Sequence, residues 1–135
     1  MRNRIPAWAN KKSDISKNRY AELKSFCLQY QERTKIATSL LGPHGYSFTM
    51  VQSGGTVSDP TFRAVEKREK LLQENALIDQ CLNGVAGGVW AAALKQNVCQ
   101  GVALHHIEPR YMPSSNRNAF FSARKAFFLM LDDLR

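Results

Sequence analysis

The chain has 135 residues, 44% of them hydrophobic, enough for one domain with a real core and too few for two ordinary ones. Its net charge of +8 suits a polyanionic partner, although net charge speaks to association rather than to fold. Cys27, Cys81 and Cys99 are widely spaced and form no Cys-x-x-Cys pair, so neither a disulfide framework nor a zinc knuckle is indicated, and reduced, buried cysteines in a cytoplasmic protein are the expectation.

The N-terminal stretch MRNRIPAWANKKSD is charged and has no apolar core of the kind a secretory leader needs. No segment approaches the ~18 apolar residues of a membrane span, so neither secretion nor membrane insertion is expected. Residues 1–13 read as a basic flexible tail, with Trp8 as a peg that docks it onto the domain. Positive charge is concentrated at the chain ends. Residues 1–36 carry nine Lys/Arg against three Asp/Glu (+6), residues 37–57 carry neither, residues 58–80 balance four against five (−1), and residues 81–135 carry six against three (+3). Nucleic acid is therefore approachable from either end.

Ser13 or Ser16 can cap a helix running through Tyr20, Leu23, Phe26, Tyr30 and Ala37 to Leu40 and Leu41, whose spacings of three, four and seven make one seam. Gly42, Pro43 and Gly45 stop it. The uncharged, Gly-rich GPHGYSFTMVQSGGTV has no helical period and reads as a long loop over 42–57. Ser58-Asp59-Pro60 is a strong helix start, since Pro in a first turn loses no hydrogen bond. The helix that follows is expected to bury Phe62, Val65, Leu71, Leu72, Ile78 and Leu82 and to expose Arg63, Glu66, Lys67, Glu69 and Lys70. Two long helices joined by a loop are expected to lie antiparallel as a hairpin over 14–83.

Gly84, Gly87 and Gly88 break the second helix and read as a hinge, because NGVAGGVW lacks the lysine and spacing of a phosphate-binding loop. VWAAALKQNVCQ predicts a compact apolar helix ending at Gly101, a residue suited to a left-handed C-terminal position. Trp90 is placed to fill the junction behind the hairpin. From Cys99 to Ser115 the chain is too long for a tight helix-turn-helix turn, so that motif requires a short helix over Ala103 to Ile107 and a turn from Pro109 to Ser114.

The last segment, MPSSNRNAFFSARKAFFLMLDDLR, predicts one amphipathic helix starting near Asn116, with Ser114 and Ser115 as caps and Pro113 restraining the entry. Phe120, Ala123, Phe127, Met130, Leu131 and Leu134 fall on one arc, with Phe121 and Phe128 on its shoulder. Asn118, Ser122 and Lys125 fall opposite; Arg117 and Arg124 lie at the boundary. A helix held by its aromatic side and offering donors on the other suits a DNA groove. The competing interpretation is a C-terminal core helix with a solvated face.

The ending IEPRYMPSSNRNAFFSARKAFFLMLDDLR resembles the C-terminal pattern of small phage-encoded transcriptional regulators of the RinA/ArpU type. In these a short apolar segment and a Pro-Cys/Ser-Ser turn precede an aromatic, arginine-containing helix. YAELKSFCLQYQE and SDPTFRAVEKREKLL are similar to segments of the same kind of Gram-positive phage protein, so the resemblance touches about half of the chain, with no catalytic signature. It implies a DNA-binding activator with a sigma-region-4-like helix-turn-helix. By position it implies that Ser115, Asn116, Arg117 and Asn118 approach bases or phosphates, and that Arg124 and Lys125 meet the phosphate backbone.

Two other classes compete. His105-His106-Ile107-Glu108-Pro109 resembles the first half of an HNH nuclease site, in which one His binds metal and the other activates water. The second half is missing, and a metal there stays undercoordinated unless His44 folds back. A protein-protein assembly module is the other alternative, built on the apolar surface of the long helices.

The combined expectation is an all-α protein without cofactor, metal site or catalytic activity. Residues 14–135 form a single helical domain, with a long antiparallel hairpin over 14–83 and a helix-turn-helix-like C-terminal unit over 88–135. The expected partner is double-stranded DNA, contacted through Ser115, Asn116, Arg117, Asn118, Ser122, Arg124 and Lys125. RNA polymerase and a second copy of the chain are further candidate partners.

Overall fold

The computed structural model describes residues 15–40 and 59–135, and all regular structure among these residues is helical. Its α-helices are α1 (Lys17–Leu28), α2 (Tyr30–Ser39), α3 (Asp59–Gly84), α4 (Ala91–Gln100) and α5 (Arg117–Leu134). One-turn 3-10 helices occupy Val85–Gly88, Leu104–His106 and Pro109–Tyr111. The tail with Trp8, the loop at 42–57 with His44, and Ser58 lie outside the described residues. No helix among the described residues is long and apolar enough to cross a membrane.

The chain divides into two compact units, one gathering the residues up to Gln29 with Leu77–Arg135, the other comprising Tyr30–Ala76. Helix α3 contributes to both.

In the first unit Ser16 caps α1, its Oγ accepting the Arg19 N–H at 3.1 Å, so of the two serines proposed as caps the second is used. Tyr20, Leu23, Phe26 and Cys27 are the buried side of α1. Ile78, Cys81 and Leu82 from α3, Leu94 and Val98 from α4, and Phe120, Phe127, Phe128 and Leu131 from α5 are also buried. All three cysteines are free and buried, and burial pushes the Cys81 thiol up to about 11.

The glycine-rich break has a definite geometry. Ala86, Gly87 and Gly88 take positive φ angles of 47°, 71° and 85°, a left-handed run that ends the helix and turns the chain into α4. Gly84 allows α3 to end close to α5, since a Cβ there would sit 2.9 Å from the Met130 sulfur. Helix α4 ends at Gly101 (φ 72°), where the Val102 N–H donates to the Gln96 carbonyl at 3.0 Å. Trp90 is buried at the start of α4, edge-on to Phe120 with ring centroids 6.0 Å apart.

The second unit is organised differently. The helix expected from Ser16 to Leu41 is interrupted at Gln29, which caps α1, and α2 begins at Tyr30 with neither Gly nor Pro to mark the break. The unexpected buried residue is Arg33, whose Nε donates to Asn75 Oδ1 at 2.7 Å. Asn75 Nδ2 in turn donates to the Tyr30 carbonyl and to Thr34 Oγ1, each at 3.1 Å. This side chain therefore ties α3 to two successive turns of α2. Phe62 and Leu72, expected in the buried stripe of α3, are instead exposed, at 55% and 36%. A helical period identifies a stripe but not whether another element covers it.

Candidate nucleic-acid interface

Helix α5 starts where its polar residues can close the first turn. Asn116 is the cap, its Oδ1 accepting the Asn118 N–H at 2.9 Å, while Ser114 Oγ accepts the Asn116 N–H at 3.1 Å. The two serines expected to cap thus precede the actual cap by one and two residues, and Ser114 braces it.

Behind this turn the aromatic arc is buried. Phe120, Phe127, Phe128 and Leu131 have no exposed surface, and Ala123 is 7% exposed. Phe128, placed on the shoulder by helical geometry, is fully buried because Tyr20 of α1 meets it edge-on with ring centroids 5.1 Å apart. Phe121, on the same shoulder by sequence, stays 42% exposed, and Leu134 is 40% exposed.

The donor side falls into two groups. Ser115, Asn116, Arg117, Asn118 and Ser122 are exposed. Arg124 and Lys125 are half-buried. Arg124 Nη2 donates to the Tyr20 hydroxyl at 2.8 Å, its guanidinium lies 5.6 Å from the centre of the Phe128 ring, and its Nε is buried without a hydrogen-bond partner. In the sequence Tyr20 is one more seam residue of α1, with no sign of this polar role. Nothing local to α1 indicates that its hydroxyl meets a side chain 104 positions away. Desolvation raises the Tyr20 phenol, and the charge of Arg124 opposes that shift.

Helix α5 is also held to α1 by ion pairs. Arg19 Nε meets Asp132 Oδ1 at 2.7 Å, and its Nη1 meets Glu22 Oε1 at 2.6 Å. The hydrogen bond to Asp132 is the main cause that raises the Arg19 guanidinium, against desolvation. Arg135 covers the Phe26 ring at 4.0 Å and reaches Glu22 at 3.9 Å. Partly exposed pairs of this kind contribute about 0–1 kcal/mol each, so they register the helix more than they stabilise it.

The segment before α5 contains two one-turn helices. The short helix expected over Ala103 to Ile107 is a 3-10 turn at Leu104–His106, and the expected turn contains a second at Pro109–Tyr111. Ile107 between them is buried. His105 and His106 are exposed, with ring centroids 4.1 Å apart. Glu108, the carboxylate a metal there would need, pairs with Arg110 at 2.8 Å. Among the described residues no three His, Cys, Asp or Glu side chains are grouped to hold a metal ion.

Comparison with known proteins gave no matching family model, no matching characterised protein and no matching solved structure.

Proposed function

We propose that this chain is a DNA-binding transcriptional regulator of phage or prophage type, acting in the cytoplasm and meeting duplex DNA through α5. The observation that supports it most is the division of that helix. Its aromatic side is buried, while Ser115, Asn116, Arg117, Asn118 and Ser122 stand exposed around its first turns. A recognition helix needs this arrangement, because its N-terminal side chains must reach base edges while the opposite side fixes its angle. The resemblance to RinA/ArpU-type regulators points the same way. In this reading the 14–83 region is a helical hairpin, and α5 is the second element of a helix-turn-helix-like unit. A dimer reading two half-sites and a contact with RNA polymerase belong to the same proposal.

The test is anisotropy of a labelled mixed-sequence duplex at ~50 mM and ~200 mM salt, an interval over which several phosphate contacts lose orders of magnitude in affinity. Binding that falls steeply with salt supports the regulator. Arg117→Ala is then expected to reduce sequence preference, and Lys125→Ala to weaken binding to every duplex and flatten the salt slope. Absence of binding at both salts favours the alternative, a helical assembly module. The exposed Phe62 and Leu72 of α3 are the observation on that side. An HNH-like nuclease has less support, since Glu108 is engaged by Arg110.

A further inference from the structure

The exposed apolar side chains of α3 stand among mixed charges. Phe62 has Glu66 one turn on, and Leu72 has Glu69 one turn back. Phe121 of α5 differs. It is 42% exposed, and the four positions nearest to it on the helix surface, three and four residues away on either side, hold Arg117, Asn118, Arg124 and Lys125. No acidic residue occurs between Arg117 and Lys125, so along this helix the ring lies among three cations and an amide. Arg117 is exposed, Lys125 is half-buried, and Arg124 is held by the Tyr20 hydroxyl.

The ring is also braced. Phe121 meets Phe120 edge-on with ring centroids 5.4 Å apart, and Phe120 is fully buried with its own edge contact to Trp90. A half-exposed ring supported from the core has less rotamer freedom to lose when a partner covers it.

The surroundings decide the class of partner. Covering the ring calls for an apolar group, and the cations around it favour a partner that brings negative charge as well. Duplex DNA combines the two in its major groove, where the phosphates line the edges and the C5-methyl of thymine is the apolar group among the base edges. Asn118 and Ser122, exposed beside the ring, are an amide and a hydroxyl of the kind that hydrogen-bonds to bases. Arg117 to Lys125 spans about 12 Å of the helix axis, room for about three base pairs, and Phe121 is at its midpoint.

We propose that Phe121 is a specificity-determining residue that reads thymine in the major groove, its exposed ring packing against the C5-methyl group. The proposal rests on the duplex-binding reading of α5 and adds to it an apolar base contact in the middle of a stretch of polar and charged ones.

The experiment uses a duplex that the wild-type protein selects from a random-sequence pool, synthesised once with thymine and once with uracil, which lacks only the methyl. Anisotropy across a salt series compares wild type, Phe121→Ala and Phe121→Leu, with thermal melting of each. Wild type is expected to bind the uracil duplex about fourfold more weakly, the equivalent of one buried methyl. Phe121→Ala is expected to lose about as much on the thymine duplex and to treat the two duplexes alike, with an unchanged salt slope, because an apolar contact releases no counterion. Phe121→Leu is expected to keep part of the thymine preference, and both variants to melt close to wild type, since the ring is well exposed. Equal binding of the two duplexes by wild type, or a uracil loss that Phe121→Ala shares in full, would overturn the methyl contact and leave the duplex reading standing. Weaker binding of Phe121→Ala to duplex and single strand alike, with no methyl effect in wild type, would assign the ring to base stacking and overturn it too. A wild-type chain that selects no duplex would overturn both.

Discussion

Helix α5 and the part of α3 in the second unit are both amphipathic, yet they are held by opposite kinds of contact. In α5 the buried side chains are four large apolar groups and one alanine. Between positions 61 and 76 of α3, the buried side chain is Asn75, and its main partner Arg33 is buried as well. An aromatic seam gains free energy from the area it removes from water and tolerates small shifts. A buried amide and guanidinium gain little net energy but lose much when one partner goes, so they define a single register. The first unit is thus held mainly by burial, and the second is aligned by a polar clamp.

The largest effect expected on this contrast comes from the seam. Phe120→Ala removes a fully buried ring that also supports Trp90, and chemical denaturation should show a loss of about 3–5 kcal/mol. A loss below ~1 kcal/mol would mean that α5 is not held by its aromatic side. Next is the clamp. Asn75→Ala leaves the Tyr30 carbonyl and the Arg33 Nε without this partner, and a loss of about 1–3 kcal/mol is expected by the same measurement. Tyr20→Phe keeps the ring against Phe128 and deletes the hydroxyl that accepts from Arg124, so the expected loss is about 1 kcal/mol. The smallest effect is expected at Phe62, more than half exposed, where Phe62→Ala should change stability by no more than ~0.5 kcal/mol. A large destabilisation there would show that this face of α3 is covered in solution, and the contrast between the two regions would shrink accordingly.

Much of the helical layout was readable from residue type and spacing. The cap at Ser16, the left-handed Gly101, the glycine break after α3 and the extent of α5 all follow from local backbone chemistry, which acts over three or four residues. The interruption at Gln29 was not readable, because no residue there disfavours helix. The candidate interface was partly legible. Polar residues at the front of α5 stand exposed where the period placed them, whereas the capture of Arg124 by Tyr20 depends on two helices far apart in the chain.

By itself the amino-acid sequence determined the all-helical character of the described residues, the glycine break after α3, the left-handed end of α4 at Gly101 and which side of α5 is apolar, since each is decided by neighbours within a turn or two. Only the tertiary structure decided that Phe128 is core and Phe121 surface, that Arg33 is buried on Asn75 while Phe62 is exposed, and that Arg124 meets Tyr20. Those outcomes depend on which other element covers a given stripe, and burial is a property of the pair of surfaces rather than of either one alone.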